Sequence, residues 1–583
     1  MSNKNLERLR KSIWIILIII IFFVPLIVTL KIMPVPESLQ WLYNKEQHVD
    51  IFSAAKVQLL QVGAIICVVL ACVYHFYTYQ REGLKKNKIS VILFGGLILS
   101  IWIAFLMSDQ KQLAWSGMID RYEGTLTWLC YIGLTYSVVV SVKNKSEMRM
   151  LIYAFVISST VVSVIGMFQW MGIDFFKTEM GLRVMLGTRF EELRSSVNFN
   201  LPEGRVYTTL YNPNYVGSLI AIAFPLTIYS VVMVKRWLIK PLFGLMIIPQ
   251  MITLYGSQST GGLIAVVTTI AFMGIYLLIK FPLHKGIYFG VIALLIMGYL
   301  IFTQLAIFQP YYAKILRSLD AEPDTYFTTE FASVDYEHPM LRYNLNNGEY
   351  IEISPIEGGL DVVTEGEGEL IQDKANQLLI YRITSENYFK QVIYNYSEEL
   401  VRVWVQNLQT EKISESRFNY YYNGHFSVGT LPLDEYNFNA ESTKWFKNER
   451  LMSNRGYIWN RTIQLVFEKP VFGYGADTYT AIYPQGDLIY KHQIFGNHVI
   501  VVDKPHNLFL TIALNFGFVG LIFFLCISLQ TFIQSRFDFL MIPILSYFVV
   551  GLVNDSVVFA TYIIFVLFGL LLILPNMMEE ESK

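Results

Sequence analysis

Charged side chains are scarce in this chain. Of its 583 residues, 16% are Asp, Glu, Lys or Arg and 54% are apolar. That balance is too apolar for a water-soluble protein of this length and points to a polytopic membrane protein. Net charge is −1, so there is no surplus of cation to hold a nucleic acid. Cysteine is rare too. Cys67, Cys72, Cys130 and Cys526 all fall in apolar runs, which excludes a disulfide framework or zinc spacing and leaves them as small core hydrophobes. There is no Walker loop and no Rossmann glycine pattern after a soluble strand. Asp-x-Asp metal ligands are absent near the membrane faces. These absences exclude an energy-coupled pump and a cytosolic enzyme fed by nucleotide sugars.

Long apolar runs are what the chain has instead. A bilayer core takes about 20 apolar residues per helix. On that basis about twelve spans are predicted, near 13–30, 57–79, 89–107, 126–142, 150–171, 214–234, 241–256, 262–279, 286–306, 507–531, 537–553 and 558–574. The first follows Lys4, Arg8, Arg10 and Lys11 and lacks a small-residue cleavage site, so it reads as a retained helix. With the N-terminus inside, the inner loops hold seventeen Lys and Arg, and the short outer connections 31–56, 108–125, 257–261 and 554–557 hold five. The positive-inside bias then places both termini in the cytoplasm and segments 172–213 and 307–505 outside.

The long outer segment is not low-complexity. From about 320 to 440 it alternates as strands do: Val401, Val403 and Val405 face one way, as do Leu379, Tyr381 and Ile383. Turn signals such as Asn346-Asn347-Gly348 separate the runs. An inserted β-sandwich-like unit is expected there. After it, Ser453 is the expected N-cap of a helix over 453–469 that Pro470 ends. On a helical wheel Arg455, Trp459, Thr462 and Val466 form one stripe and Arg461 lies away from it, the pattern of an interfacial amphipathic helix. The chain thus divides into a membrane part over 1–306 with about nine helices, the outer segment over 307–505, and about three membrane helices over 506–583.

Polar groups collect on the outer side. Arg205 precedes Asn212-Pro213-Asn214, which opens the sixth span. Ser257 to Gly262 makes a tight turn whose glycines permit the reversal. Arg455 leads the interfacial helix, and Lys504 and His506 stand at the mouth of the apolar run that starts near 507. His338, His425, His492 and His498 read as loop surface, while His75 and His284 lie in a span or inside.

Four pieces, GRVYTTLYNPNYVGSL, GSQSTGGLIAVV, NRGYIWNRTIQLVFEKPVFGYGADTY and KPHNLFLTIALNFGFVGL, together resemble the O-antigen ligase and polymerase superfamily of bacterial envelope glycosyltransferases. They match in order and in topological position over roughly 200–580, with the β insertion as an extra. The resemblance implies an all-α, GT-C-like membrane fold in the cytoplasmic (inner) membrane and an extracytoplasmic active site. It implies a donor glycan linked by diphosphate to a polyprenol such as undecaprenol, and transfer to an acceptor hydroxyl on a glycan, lipid, wall or protein, with no cofactor, nucleotide or metal.

The residue chemistry agrees with that implication. Arginines bind a diphosphate bidentately and stabilise its developing charge, for which Arg205 and Arg455 are the candidates. A histidine of near-neutral pKa takes a proton from a hydroxyl, and His506 falls where the family has its histidine. Asn212, Asn214, Lys504 and Arg461 are the candidate substrate contacts, Asn214 alternatively a helix cap. One departure stands out. Family members often carry an arginine where this chain has Thr260, with Arg461, Lys469 and Lys504 as the nearest substitutes for that anion contact. Two other classes remain open at this level. A flippase for lipid-linked sugars predicts charges deep within spans, where this chain has almost none. A membrane-anchored glycan-binding module predicts that the 320–440 unit folds and binds by itself.

Overall fold

The computed structural model describes residues 1–40, 46–82, 88–195, 205–280, the strand segments lying between 331 and 432, and 448–582 apart from 486, 488–490, 492–493 and 496–499, together with a few isolated positions. Its main helices are α1 (Asn3–Phe23), α2 (Ala54–Glu82), α3 (Lys88–Met107), α4 (Lys111–Ser116), α5 (Thr125–Ser141), α6 (Lys145–Trp170), α7 (Glu179–Leu186), α8 (Pro213–Met233), α9 (Lys240–Leu245), α10 (Ile247–Ser257), α11 (Thr260–Lys280), α12 (Leu451–Glu468), α13 (Leu508–Gln534), α14 (Met541–Gly551) and α15 (Val558–Ser582). Seven of these, α2, α3, α6, α8, α11, α13 and α15, are long and apolar enough to cross a membrane; α5 and α14 are apolar but shorter.

Eleven of the twelve predicted segments fall on helices, and 286–306 lies outside the described residues. The number of full-length spans among the described residues is therefore smaller than expected, for local reasons. The 241–256 segment divides into α9 and α10, and α14 is short at its start. Pro249 and Pro543 stand third in α10 and α14. Proline is tolerated in a first turn, where the N–H is unpaired anyway, so each opens a new helix rather than continuing an old one. The helix α1 begins well before residue 13 because Ser2 caps it and buried Arg10 pairs with Glu147 of α6 at 2.8 Å.

Burial sorts the helices into centre and rim. The apolar window of α15 is 89% buried and that of α3 22%, so α15 is the central post and α3 is left to face lipid. The post packs on α5; around it α2 meets α5, α6 meets α10, α3 meets α13, and α8 meets α11 and α14. Hydroxyls tie helices together, as where Thr135 Oγ1 donates to Phe565 O at 2.7 Å and Thr269 meets Ser546 at 2.6 Å. In the 257–262 turn the reversal is made by Gln258 at φ 55, not by the glycines. Gly262 lies inside α11, where a Cβ would stand 2.5 Å from Gly217 Cα of α8. It serves helix approach rather than the turn.

A short antiparallel hairpin, β1 (Lys31–Pro34) with β2 (Gln47–Asp50), precedes α2, and the insertion is built of two antiparallel meanders. Strands β3 (Phe331–Glu337), β4 (Met340–Leu345), β5 (Tyr350–Ile356) and β6 (Gly359–Thr364) form a four-stranded sheet in sequence order. Strands β7 (Gly368–Asp373), β8 (Leu378–Ile383), β9 (Phe389–Asn395), β10 (Leu400–Gln406), β11 (Ile413–Tyr422), β12 (Phe426–Val428) and β13 (Leu431–Pro432) form the other, also in order. In register, Val403 opposes Val392 and Leu379 opposes Tyr394.

The helix after the insertion differs from expectation at its start and in its setting. Met452, Ser453 and Asn454 have φ of 51°, 61° and 71°, so α12 is regular only from Arg455, and Ser453 is part of a left-handed turn rather than an N-cap. Nor does α12 lie on a surface. Gly456 to Thr462, Leu465 and Val466 are buried, because Tyr474, Tyr479, Tyr483 and Val502 of the following segment pack over it.

Candidate active site

The geometry around His506 follows from how α13 begins. Asn507 is its N-cap, with Oδ1 accepting from Phe509 N and Leu510 N at 3.0 Å each, the usual device for a helix start. Its Nδ2 donates to Leu552 O at 3.0 Å and ties the start of α13 to the end of α14. His506 precedes the cap with φ 54, a left-handed backbone unusual for a residue with a side chain.

The stretch before α13 is seated by three positive-φ glycines, Gly473, Gly475 and Gly517. The helix breaks at Gly517 (φ 68), where a Cβ would collide with the backbone of Val471. Gly473 (φ 69) approaches the Leu514 carbonyl, Tyr474 N donates to Leu514 O at 2.9 Å, and Gly475 N to Asn515 O at 3.0 Å. The KPVFGYG piece thus lies backbone to backbone on the kink, and Asp477 follows it with its N–H on Asn515 Oδ1 at 3.2 Å.

These elements bring a charged cluster together. His506 Nδ1 lies 3.3 Å from Asp555 Oδ2, and Asp555, in the link between α14 and α15, is 5% exposed. Thr511 donates to Asp555 Oδ1 at 3.2 Å. Lys504 Nζ is 3.3 Å from the Tyr215 hydroxyl of α8 and 3.5 Å from Asp503. From α12, Arg455 Nε donates to Val553 O at 2.9 Å and Nη1 to Met452 O at 2.7 Å, while Trp459 Nε1 donates to Pro505 O at 3.0 Å. Among the described residues Arg455 Nη2 and His506 Nε2 have no hydrogen-bond partner. Arg121, from the loop between α4 and α5, reaches Asp477 at 2.8 Å and Asp503 O at 2.8 Å. A small polar pocket is lined by Arg121, Glu123, Asp477, Lys504, Asp555 and Ser556 among others.

Electrostatics sets the protonation states. Burial lowers the His506 pKa; Asp555 opposes this, and Lys504 and Arg455 add to the lowering, so the net direction is down. Burial alone would raise Asp555, but His506, Lys504 and Arg121 together hold it well below the carboxylate range. Lys504 is pushed up on balance, since Asp503, Tyr215 and Asp555 outweigh its burial. Glu123 rises to about 7 through burial, against hydrogen bonds from Ser556 at 2.5 Å and Tyr131 at 2.6 Å. A neutral imidazole beside an ionised carboxylate donates from Nδ1 and keeps the Nε2 lone pair free.

The other residues singled out by sequence divide into three groups. Asn212 is the cap of α8, its Oδ1 accepting from Asn214 N at 2.9 Å, so the capping alternative falls to Asn212 and not to Asn214. Asn214 touches the cluster through its main chain: Asn554 Nδ2, beside Asp555, reaches the Asn214 backbone carbonyl at 3.5 Å. Arg205 is joined to the His506 group by no contact among the described residues. Its neighbour Val206 donates to Gly256 O at 3.0 Å, and Arg205 Nε is buried without a partner. Arg461 is committed elsewhere, 2.5 Å from Asp487 and 3.3 Å from Glu449, with Tyr457 stacked at 3.7 Å. Lys469 pairs with Asp109 at 2.9 Å. Thr260 Oγ1 is buried without a partner. His284, His338, His425, His492 and His498 lie outside the described residues. Sequence reasoning gave no role to Arg121, Asp477, Asp503 or Asp555. The one signal was a charge close to a span end, as at Asp555. Among the described residues no three His, Cys, Asp or Glu side chains gather as a metal site.

Residues 401–525 match the family model described as O-antigen ligase. The match runs from β10 through α12 and the His506 turn into α13, and so includes Arg455, Arg461, Lys504 and His506 but not Arg205, Asn212 or Asn214. No curated protein and no solved structure matches the chain. Over that stretch the chain is similar to the O-antigen ligase family.

Proposed function

We propose that this membrane protein transfers a glycan from a polyprenyl diphosphate to an acceptor hydroxyl at the outer face of the cytoplasmic membrane. The observation that carries the reading is the His506–Asp555 pair at 3.3 Å, with Nε2 free and Arg455 held on Val553 O, two residues before Asp555. In the proposed step Nε2 accepts the proton of the acceptor hydroxyl. The acceptor oxygen bonds to the anomeric carbon, and the bond from that carbon to the phosphate oxygen breaks. Polyprenyl diphosphate leaves with the bonding electrons, and the imidazolium then releases its proton to the leaving diphosphate or to water. Asp555 keeps the imidazole in the tautomer that frees Nε2 and stabilises the imidazolium. Arg455, with one amino group uncommitted, and Arg205, with its buried Nε unpaired, receive the growing negative charge. Asn214 and Lys504 line the approach, and Asn212 acts through the cap of α8. Arg461 serves the fold instead. A single displacement inverts the anomeric centre.

The two sheets of the insertion, read as a sandwich, are assigned to acceptor or growing glycan, and both termini to the cytoplasm. Two experiments test the reading. Purified protein in liposomes, given a polyprenyl-diphosphate glycan and an acceptor, should release polyprenyl diphosphate with matching gain of glycosylated acceptor. Absence of release with every acceptor class would refute it. Product sizing after gene loss then separates two activities: single-repeat products indicate a polymerase, and full-length chains left on the carrier indicate a ligase.

A further inference from the structure

We propose that Arg121 is a positioning residue: acting through Asp503 and Asp477, it fixes the backbone turn that aims His506. The proposal rests on the reading of His506 as the base. Arg121 sits in the loop between α4 and α5, far from His506 in sequence, and its side chain is 6% exposed. Its two terminal nitrogens go to different segments. Nη1 donates to Asp503 O at 2.8 Å and Nη2 meets Asp477 Oδ1 at 2.8 Å. The other oxygen of Asp477 accepts from Met118 N at 2.7 Å and Glu123 N at 3.3 Å. The loop that presents Arg121 is therefore tied back to the same carboxylate. Thr480 adds a second donor to Asp503 O at 3.2 Å.

Three residues beyond Asp503 stands His506 at φ 54. A residue with a side chain held in that region carries backbone strain and persists only where its surroundings over-determine it. Five side chains hold this turn: Arg121 and Thr480 on Asp503 O, Lys504 on Tyr215, Trp459 on Pro505 O and Asn507 on Leu552 O. Arg121 is the one whose fork joins the turn to the glycine-seated 473–477 segment. A planar fork with two spaced donors suits that task, and a single ammonium does not. Burial works against its charge, and Asp477 and Asp503 outweigh the penalty, so the guanidinium remains charged.

The test uses full-length protein in liposomes with a polyprenyl-diphosphate glycan as donor. Arg121→Met combined with Asp477→Asn removes both buried charges together and keeps an amide oxygen for Met118 N. Turnover should fall on the order of 10- to 100-fold, the cost of a misplaced catalytic group. Donor KM should stay within about twofold, because both terminal nitrogens of Arg121 and both oxygens of Asp477 are spent on protein partners. Amide hydrogen exchange across 502–508 should quicken, while that of α8 stays unchanged. Arg121→Lys, which keeps a charge against Asp477, should recover part of the turnover, and it carries the test by itself if the double variant does not fold. Wild-type turnover in these variants, or unchanged exchange at 502–508, would overturn the proposal. So would a rise in donor KM that accounts for the whole loss, since Arg121 would then bind donor. His506→Ala, run in parallel, separates the two claims. Full turnover there removes the reading of His506, whereas an inactive His506→Ala beside fully active Arg121 variants removes only the role of Arg121.

Discussion

At the scale of single residues, the account turns on which proton His506 carries and where. Asp555 raises the His506 pKa, and Lys504 lowers it. Replacements of these two neighbours should therefore move the acid limb of activity in opposite directions. Asp555→Asn removes the raising partner, so the limb shifts to lower pH while kcat falls by roughly 10²-fold or more through loss of the tautomer. Lys504→Met removes a lowering charge, so the limb shifts up toward the ordinary histidine value. The pH dependence of kcat/KM in the two variants checks both signs. In the unaltered protein the limb should lie below the usual 6.5, because burial dominates the His506 shift. His506 was legible in the sequence as a titratable group at the mouth of an apolar run. Its partner was not. Asp555 lies far along the chain, and only the meeting of the α14–α15 link with the start of α13 makes them neighbours.

At the scale of elements, α12 carries two separate duties on two faces. Arg455 and Trp459, one turn apart, point to Val553 and Pro505 beside the candidate base. Arg461 faces away into its buried pair with Asp487. The wheel read from sequence separated these faces, because helical spacing fixes which side chains share a side. The start of the helix departs from its sequence pattern: Ser453 has the composition of a cap, but the Met452–Asn454 turn is left-handed and α12 is covered by the segment after it. Nothing local in the sequence announces that cover. Arg461→Met strands the Asp487 carboxylate in the interior and should cost about 3–5 kcal/mol. A lowered thermal midpoint of the detergent-purified protein, with the acid limb of residual activity unmoved, is the expected result. A moved limb with normal stability would place Arg461 in the site instead. The short α10 and α14 were legible in principle from Pro249 and Pro543, but hydropathy windows average across prolines and extend a helix through them.

At the scale of the whole molecule, the positive-inside count and the cluster's position make one topological statement. The chain re-enters the helix bundle from the insertion through α12, whose Trp459 touches Pro505 beside His506, and the loops expected inside carry the excess of Lys and Arg. Ile356, in β5, is 54% exposed and suits a cysteine probe. Ile356→Cys should react with a membrane-impermeant thiol reagent in intact spheroplasts, and Ser2→Cys should react only after lysis. The reverse pattern would invert the orientation and put the cluster in the cytoplasm. The order of helices and the existence of the insertion were legible because apolar length and strand alternation are local signals. The two separate meanders were not, because alternation says which residues share a face and not where one sheet stops and the next begins.

The most direct test is turnover of a polyprenyl-diphosphate glycan by the reconstituted protein carrying His506→Ala or Arg455→Ala, each compared with the unaltered chain at equal folded amount. Both substitutions should lower the rate of glycan transfer by on the order of 10²–10⁴-fold for the base and 10²–10³-fold for the anion-binding arginine, with the protein still folded. Transfer at the unaltered rate in both would contradict the account.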